Sequence, residues 1–299
     1  MEFGTFRIRK EKKLLSAKKI GIYTHSTLIN GKLDELDREL AIYQKLGFKY
    51  TEVGVHGVDA IVGTKLNLDN IEKVKHSLDK YNFKTTVHAP DILNLRDEEN
   101  FELHKKVFES SIDFTEKLGA HILVYHLGMI RNNFKINSEE KTKEKEINTL
   151  KELAEFSKKK GVQICIENNT NEDSPRELVE VVEKVNKKNL GICCDFGHAF
   201  LSFKGDEFKL LEFIERTLPY LKHIHAHDNF GIPKPDIGEK LDYRFLLPYG
   251  IGDLHMPPGM GKIPYQKIKP LLRDYSGIIL MEVRYRYLES YSSILNMEF

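Results

Sequence analysis

Nine histidines and carboxylates recur along the chain where short apolar runs end or just beyond them. They are His88, His126, Glu167, Asp195, His198, His225, Asp253, His255 and Glu282. Imidazole and carboxylate together are the ligand set of zinc, manganese or iron, and they suit calcium or magnesium less well. Nine candidates exceed what one ion needs and match two or three, with a carboxylate such as Glu167 as a bridge. Clusters of that kind activate water against a phosphodiester by clamping the attacking and leaving oxygens. A single metal flanked by two carboxylates suits another chemistry, removal of a proton beside a polarised carbonyl.

Each residue also has a plainer explanation. A histidine at a strand end is more often a hydrogen-bonded structural group, and an acid closing an apolar run is often a satisfied loop cap. A buried carboxylate, however, is costly unless it is paired or metal-bound. Here three of them close apolar runs among several histidines, and the plain explanation would have to hold nine times. A metal site is the expectation. His25 and His56 also follow strands and divide between substrate contact and structure, and His227 and Lys262 are further candidate substrate contacts. His223 shares a face with His225 and His227 by the two-residue period of a strand; it is expected deeper, as a structural group. His76, His104 and His121 read as helix-surface or strand-start residues. None of the three cysteines, Cys165, Cys193 and Cys194, is read as placed to join the ligands.

The elements that must position these groups alternate. Apolar or β-branched runs at Lys19–Tyr23, Tyr50–Gly54, Lys84–His88, Ile122–His126, Gln163–Glu167, Gly191–Asp195, Lys222–His227 and Ile278–Val283 read as strands. Between them, amphipathic segments at Leu33–Leu46, Leu68–Tyr81, Phe101–Leu118, Ser138–Lys160, Pro175–Lys187, Asp206–Leu218 and Ile263–Leu272 read as helices. Gly47, Gly119 and Gly161 sit where helices should stop, and Ser174 before Pro175 reads as an N-cap with proline at the first helical position. Eight such alternations predict an α/β fold, a (β/α)8 TIM barrel, with a doubly wound open sheet as competitor. In a barrel the C-terminal strand ends share one face, where active sites are found. The irregular stretch Asn229–Lys262 is too long for an ordinary connection, and such loops are usually functional.

Bulk properties bound the function. The chain has 299 residues, 46 Lys and Arg against 45 Asp and Glu, and a formal net charge of +1. That balance demands neither a nucleic-acid nor a membrane partner. No apolar run reaches the ~18 residues of a membrane span. Three cysteines in apolar runs point to a reducing, cytoplasmic setting. The basic segment 1–18 is expected to be an N-terminal extension or leader, and 19–299 a single catalytic barrel domain.

At these residues the chain resembles the superfamily of xylose isomerase-like and endonuclease IV-like barrels. The resemblance runs from Lys19 onward and rests on VHAP ending at Pro90, VYHLG at Gly128, IENN at Asn169 and CDFGHAF at Phe200, then HAHDN at Asn229, GDLHMPPGMG at Gly261 and LMEV at Val283. It implies the trinuclear zinc set of endonuclease IV at all nine positions above, acting on DNA at abasic sites. It equally implies the single-metal set of the sugar and sugar-phosphate isomerases and epimerases at Glu167, Asp195, His225 and Glu282, with Glu167 and Glu282 as acid and base. One to three divalent ions, zinc or manganese, would be the cofactor. Where endonuclease IV proteins carry a DNA-probing aromatic after His88, this chain has Asp91, a carboxylate that a phosphate backbone repels. Their basic, aromatic segment after the second strand is here HGVDAIVGTKLN, and the glutamate of their late GEG turn is Met260. A sugar or sugar-phosphate isomerase or epimerase is the leading expectation, an endonuclease IV-like phosphodiesterase the alternative, and a metal-binding barrel without catalysis the third.

Overall fold

The computed structural model of the protein describes residues 19–130, 139–234 and 243–297. The expected leader 1–18 lies outside the described residues, as does part of the long loop. Eight strands form the barrel: β1 Lys19–Tyr23, β2 Tyr50–Gly54, β3 Lys84–His88, β4 Ile122–His126, β5 Gln163–Glu167, β6 Leu190–Asp195, β7 Leu221–Ala226 and β8 Ile278–Met281. Each pairs in parallel with its sequence neighbours, and β8 pairs with β1 to close the ring. The chain therefore forms the (β/α)8 TIM barrel that the alternation predicts, and the open-sheet competitor is excluded.

Alternation along each strand sorts the side chains. Ile20, Ile22, Val53, Val87, Leu123, Ile164, Ile166, Ile192, Ile224 and Ile279 belong to the main core with the surrounding helices, all fully or almost fully buried. In the helix Leu33–Leu46 the buried Leu36, Leu40 and Tyr43 recur at the spacing of one helical stripe, and Gly47 ends it at φ +100°. Truncating such a residue, as in Leu40→Ala, costs about 2–5 kcal/mol. The opposite strand face points into the barrel. There Val124, Cys165 and Cys193 form a separate small cluster, and Glu52 and His223 lie 3.3 Å apart. A barrel interior is ordinarily filled by branched aliphatic residues. This one carries acid, imidazole and thiol instead.

Several details differ from the sequence-based expectation. Strand β7 stops at Ala226 rather than His227, and β8 at Met281 rather than Val283, although the Glu282 amide still donates to Ala226 O at 3.1 Å. Asp173, not Ser174, precedes the helix Ser174–Val185, and the Ser174 hydroxyl accepts from the Asn169 amide at 2.7 Å. The short helix Phe196–Ser202 and the two-residue hairpin Ile61–Val62 with Lys65–Leu66 were too short for periodicity to expose. Among the described residues no helix is long and apolar enough to cross a membrane.

Candidate metal centre

The strand ends bring all nine candidate ligands to one mouth of the barrel. Glu167, at the end of β5, is the hub. Its Oε2 lies 3.2 Å from His88 Nε2 and 3.1 Å from His126 Nε2, and its Oε1 lies 3.0 Å from His225 Nδ1. His225 Nδ1 is also 3.2 Å from Glu282 Oε1. Asp195 closes β6 and caps the next helix, accepting from the His198 amide at 2.6 Å, which turns the His198 ring toward the centre. On the loop side, Asp253 Oδ2 sits 2.7 Å from His255 Nε2 and 3.2 Å from His198 Nε2. His255 holds this position with a left-handed backbone, φ +48°, which a side-chain-bearing residue seldom adopts.

The ring orientations match those of metal-binding imidazoles. His88 Nδ1 donates to Ala89 O at 2.6 Å, His198 Nδ1 to Asn168 O at 3.0 Å, and His255 Nδ1 to Glu282 O at 2.8 Å. Each bond places a proton on Nδ1 and leaves Nε2 facing the carboxylates, protonated in the metal-free site and free to ligate once a cation displaces that proton, the usual outer support of a metal ligand. Several buried atoms at the mouth have no hydrogen-bond partner: Asp195 Oδ2, Asp253 Oδ1, His225 Nε2 and both ring nitrogens of His227. Such atoms are expensive to bury. Divalent cations would satisfy them, so the residues fit the metals expected of the sequence.

The electrostatics agree. Burial alone would push the Glu167 carboxyl up, but the His225 and His126 imidazoles hold it well below the usual range. Asp253 is likewise held low against burial by His255, His227 and His198. Burial disfavours a charged His88, yet hydrogen bonding to Glu167 and the surrounding carboxylates raise it to about 10. Glu282 goes the other way: burial pushes it up to about 7, with His225 opposing and Glu167 and Asp195 assisting. A site that retains protons this strongly is an electronegative basket, and metal ions would displace those protons.

Other expected contacts are reassigned. His25 lines the cavity and is also held by its neighbours: its Nδ1 lies 2.9 Å from Glu39 Oε1, and its Nε2 lies 3.2 Å from both Val283 O and the Tyr291 hydroxyl. His227 is fully buried and outside the cavity lining. It stacks on His255 with centroids 4.0 Å apart and groups with His198, Asp253 and His255 as a possible metal ligand. Gly197 makes that position possible, because a β-carbon there would run into the His227 ring. Lys262 is exposed and away from the cavity, its amide donating to Asn229 O at 2.9 Å. His56 does stand at the cavity wall, 3.9 Å from Asp91.

Sequence reasoning missed Glu52 and Arg284. Glu52 is buried on β2, with Oε1 3.2 Å from His225 Nε2 and Oε2 accepting from Thr86 Oγ1 at 2.7 Å. It alternates along β2 with the core residue Val53, and that signal could have found it. Parity with Asp195 would similarly have flagged Cys193, whose thiol groups with His223 and His225; the expectation that no thiol joins the histidines is corrected. The HDN motif serves the loop. Asp228 accepts from the amides of Asn229, Gly259 and Ile263 at 2.8–3.1 Å, and Asn229 Nδ2 donates to Gly197 O.

Above the ligands lies a cavity of about 300 Å³, walled by Thr24, Ser26, Thr27, His56, Asp91 and Arg284, with Glu282 and Glu52 reaching it from below.

Three comparisons bear on this arrangement. Residues 40–296 match the family described as xylose isomerase-like TIM barrel. MJ1311 of Methanocaldococcus jannaschii is 27% identical over 227 residues, 73% of this chain and 70% of its own length. A probable endonuclease 4 of Mesomycoplasma hyopneumoniae is 30% identical over 220 residues, 66% of this chain and 75% of its own length. The crystal structure of a D-tagatose 3-epimerase-like protein superposes with a TM-score of 0.71 at 24% identity, covering 93% of this chain and 95% of the other. The E. coli 3-keto-D-glucoside 4-epimerase gives a TM-score of 0.67 at 17% identity, covering 94% of this chain and all of the other. With its closed eight-stranded barrel and its ligand-bearing strand ends, the chain belongs to the xylose isomerase-like TIM barrel family.

Proposed function

We propose that the protein is a divalent-metal-dependent isomerase or epimerase of a sugar or sugar phosphate. The observation that carries this reading is the cavity over the ligands. At about 300 Å³ it is at the small end of small-molecule sites. Its wall of hydroxyls, an imidazole, a carboxylate and one guanidinium is suited to a polyol. A DNA duplex would call for a broad cationic trough, whereas Arg284 is the one Lys or Arg among the described lining residues and Asp91 belongs to the same lining.

Glu167, Asp195, His225 and Glu282 would hold the primary metal, which when bound would polarise the substrate oxygens next to the reacting carbon. The other ligand-type residues would hold further ions or orient substrate. Glu282 opens onto the cavity and is the carboxylate suited to taking or returning the proton. Glu167 is ringed by imidazoles and lies outside the lining, so its weight falls on holding the metal, and the symmetric acid–base pair expected from the resemblance becomes uneven.

The alternative, an endonuclease IV-like phosphodiesterase, draws on a specific observation: all nine positions of the trinuclear set converge here, and relatives bearing the name probable endonuclease 4 share 28–30% identity. One experiment separates the two. Metal-loaded protein is incubated with ketoses and their phosphates in deuterated water, and in parallel with a duplex holding one abasic site. Exchange of carbon-bound hydrogen that disappears in Glu282→Gln is the expected result. Efficient strand cleavage lost in Glu167→Gln, with no exchange, would overturn the sugar reading.

A further inference from the structure

Beneath the nine mouth residues, one layer deeper in the barrel, stands a second group of ligand types. The Cys193 thiol and the imidazoles of His223 and His225 present donor atoms that all lie within 4.8 Å of one another. Glu52 joins them, its Oε2 3.3 Å from His223 Nε2 and its Oε1 3.2 Å from His225 Nε2. These four side chains come from β2, β6 and β7, and all are completely buried or nearly so. The edges of a zinc tetrahedron with mixed sulfur and nitrogen ligands are about 3.4–3.8 Å, so shifts of about half an ångström per side chain would close Cys193, His223 and His225 around one ion, with Glu52 adjoining both imidazoles.

A second observation points the same way. His223 is fully buried, yet neither of its ring nitrogens has a hydrogen-bond partner, and the same holds for His225 Nε2. The close approach of His223 to Glu52 lacks hydrogen-bond geometry. Buried imidazole nitrogens without a hydrogen bond are costly for a fold to carry, and two of these, His223 Nε2 and His225 Nε2, approach the same Glu52 carboxylate, where an ion would accept their lone pairs. His225 faces two ways: Nδ1 toward Glu167 and Glu282 at the mouth, Nε2 toward Glu52 below. The cavity reaches Glu52, which supplies a path for an ion from solvent.

From this geometry we infer that the barrel interior holds a separate zinc-class ion, bound by Cys193, His223 and Glu52, with His225 Nε2 as fourth donor; the thiol proton passes to solvent, and where a mouth ion also takes Nδ1 the His225 ring bridges the two as imidazolate, its remaining proton likewise leaving to solvent. A set containing thiolate and imidazole selects zinc or cobalt over magnesium, calcium or manganese. The ion would tie three strands together and fix the His225 ring from beneath. The inference does not depend on which reaction the mouth performs.

Cobalt(II) is the probe, because a thiolate ligand gives a near-ultraviolet charge-transfer band that nitrogen and oxygen ligands do not. Full-length protein stripped of metal and titrated with cobalt(II) is expected to show this band. Cys165→Ser with Cys194→Ser should retain it, and Cys193→Ser should lose it. Zinc-loaded Cys193→Ser should contain one ion fewer per chain than the parent. His223→Gln keeps the thiol and tests the site should Cys193→Ser fail to fold; it is expected to weaken or abolish the band. Asp253→Asn, altered only at the mouth, should keep it. A cobalt-saturated parent without a thiolate band would overturn the inference. So would a band that survives in Cys193→Ser, or equal zinc content in parent and variant.

Discussion

Between the helices, Arg96 supplies the positive charge that its buried acids require; at the barrel mouth, among the described residues, no Lys or Arg side chain forms an ion pair with Glu167, Asp195 or Asp253. Arg96 donates to Glu146 at 2.7 Å and to Glu177 at 2.8 Å, while Glu146 also accepts from the Tyr125 hydroxyl and the Gly128 amide. Burial alone would lower the Arg96 pKa, but the two glutamates raise it, so the network carries its own counter-charge, although Arg96 Nη2 is left without a hydrogen bond. At the mouth the acids face imidazole nitrogens, and atoms such as Asp195 Oδ2 and Asp253 Oδ1 are left over. Both clusters obey the rule that buried charge needs a counter-charge. One finds it within the chain, and the other would find it in the proposed metal ions.

The contrast can be broken experimentally, most forcefully at the hub. Glu167→Gln should lower turnover by ~10²–10⁴-fold on whichever substrate the protein accepts, with a matching loss of bound metal by elemental analysis. Near-normal metal content and rate would erase the distinction between the clusters. Arg96→Leu should do the opposite. It leaves Glu146 buried without its partner and should lower stability by about 3–5 kcal/mol in urea melts, with metal content unchanged; a fall in bound metal would mean that the networks are coupled.

Next in size comes chelation. Ions present at a hundredfold excess over Kd add about 2.7 kcal/mol per site, so stripping them should lower Tm reversibly. The stripped protein should also acquire a pH dependence of definite sign. His88 titrates at about 10 when folded against an ordinary 6.5. Its paired, protonated form therefore contributes fully below pH 6.5, and that contribution fades as pH rises toward 10. Melting curves of the metal-free protein should fall across this window and flatten once zinc is restored. A flat metal-free curve would count against the Glu167–His88 pairing. Smallest of all, Asp91→Ala should raise KM by ~3–10-fold with kcat little changed; an unchanged KM would remove Asp91 from substrate contact.

Much of this was legible in the sequence because the signals were local. Strands β1 to β5 begin and end where the apolar runs do. The nine ligand types were visible because an acid or imidazole closing an apolar strand is costly without a partner. What stayed hidden depended on packing between strands. Glu52 sits in TEVG, which reads like any half-exposed strand, and its burial follows only from its proximity to His223 and His225 across the closed barrel. Lys262 shows the converse: residue type suggested a contact, whereas the loop leaves it exposed and outside the cavity lining, while His25 lines the cavity with its ring bound to Glu39.

The steric conflict between position 197 and the ring of residue 227 reaches beyond this chain. The two positions should vary together: where a related barrel substitutes alanine or anything larger at the first, it should have given up the imidazole at the second. The FGH tripeptide can thus be used to sort relatives. Those with glycine retain room for a fourth nitrogen on the loop side of the mouth, and those without it must manage that side with Asp253, His198 and His255 alone.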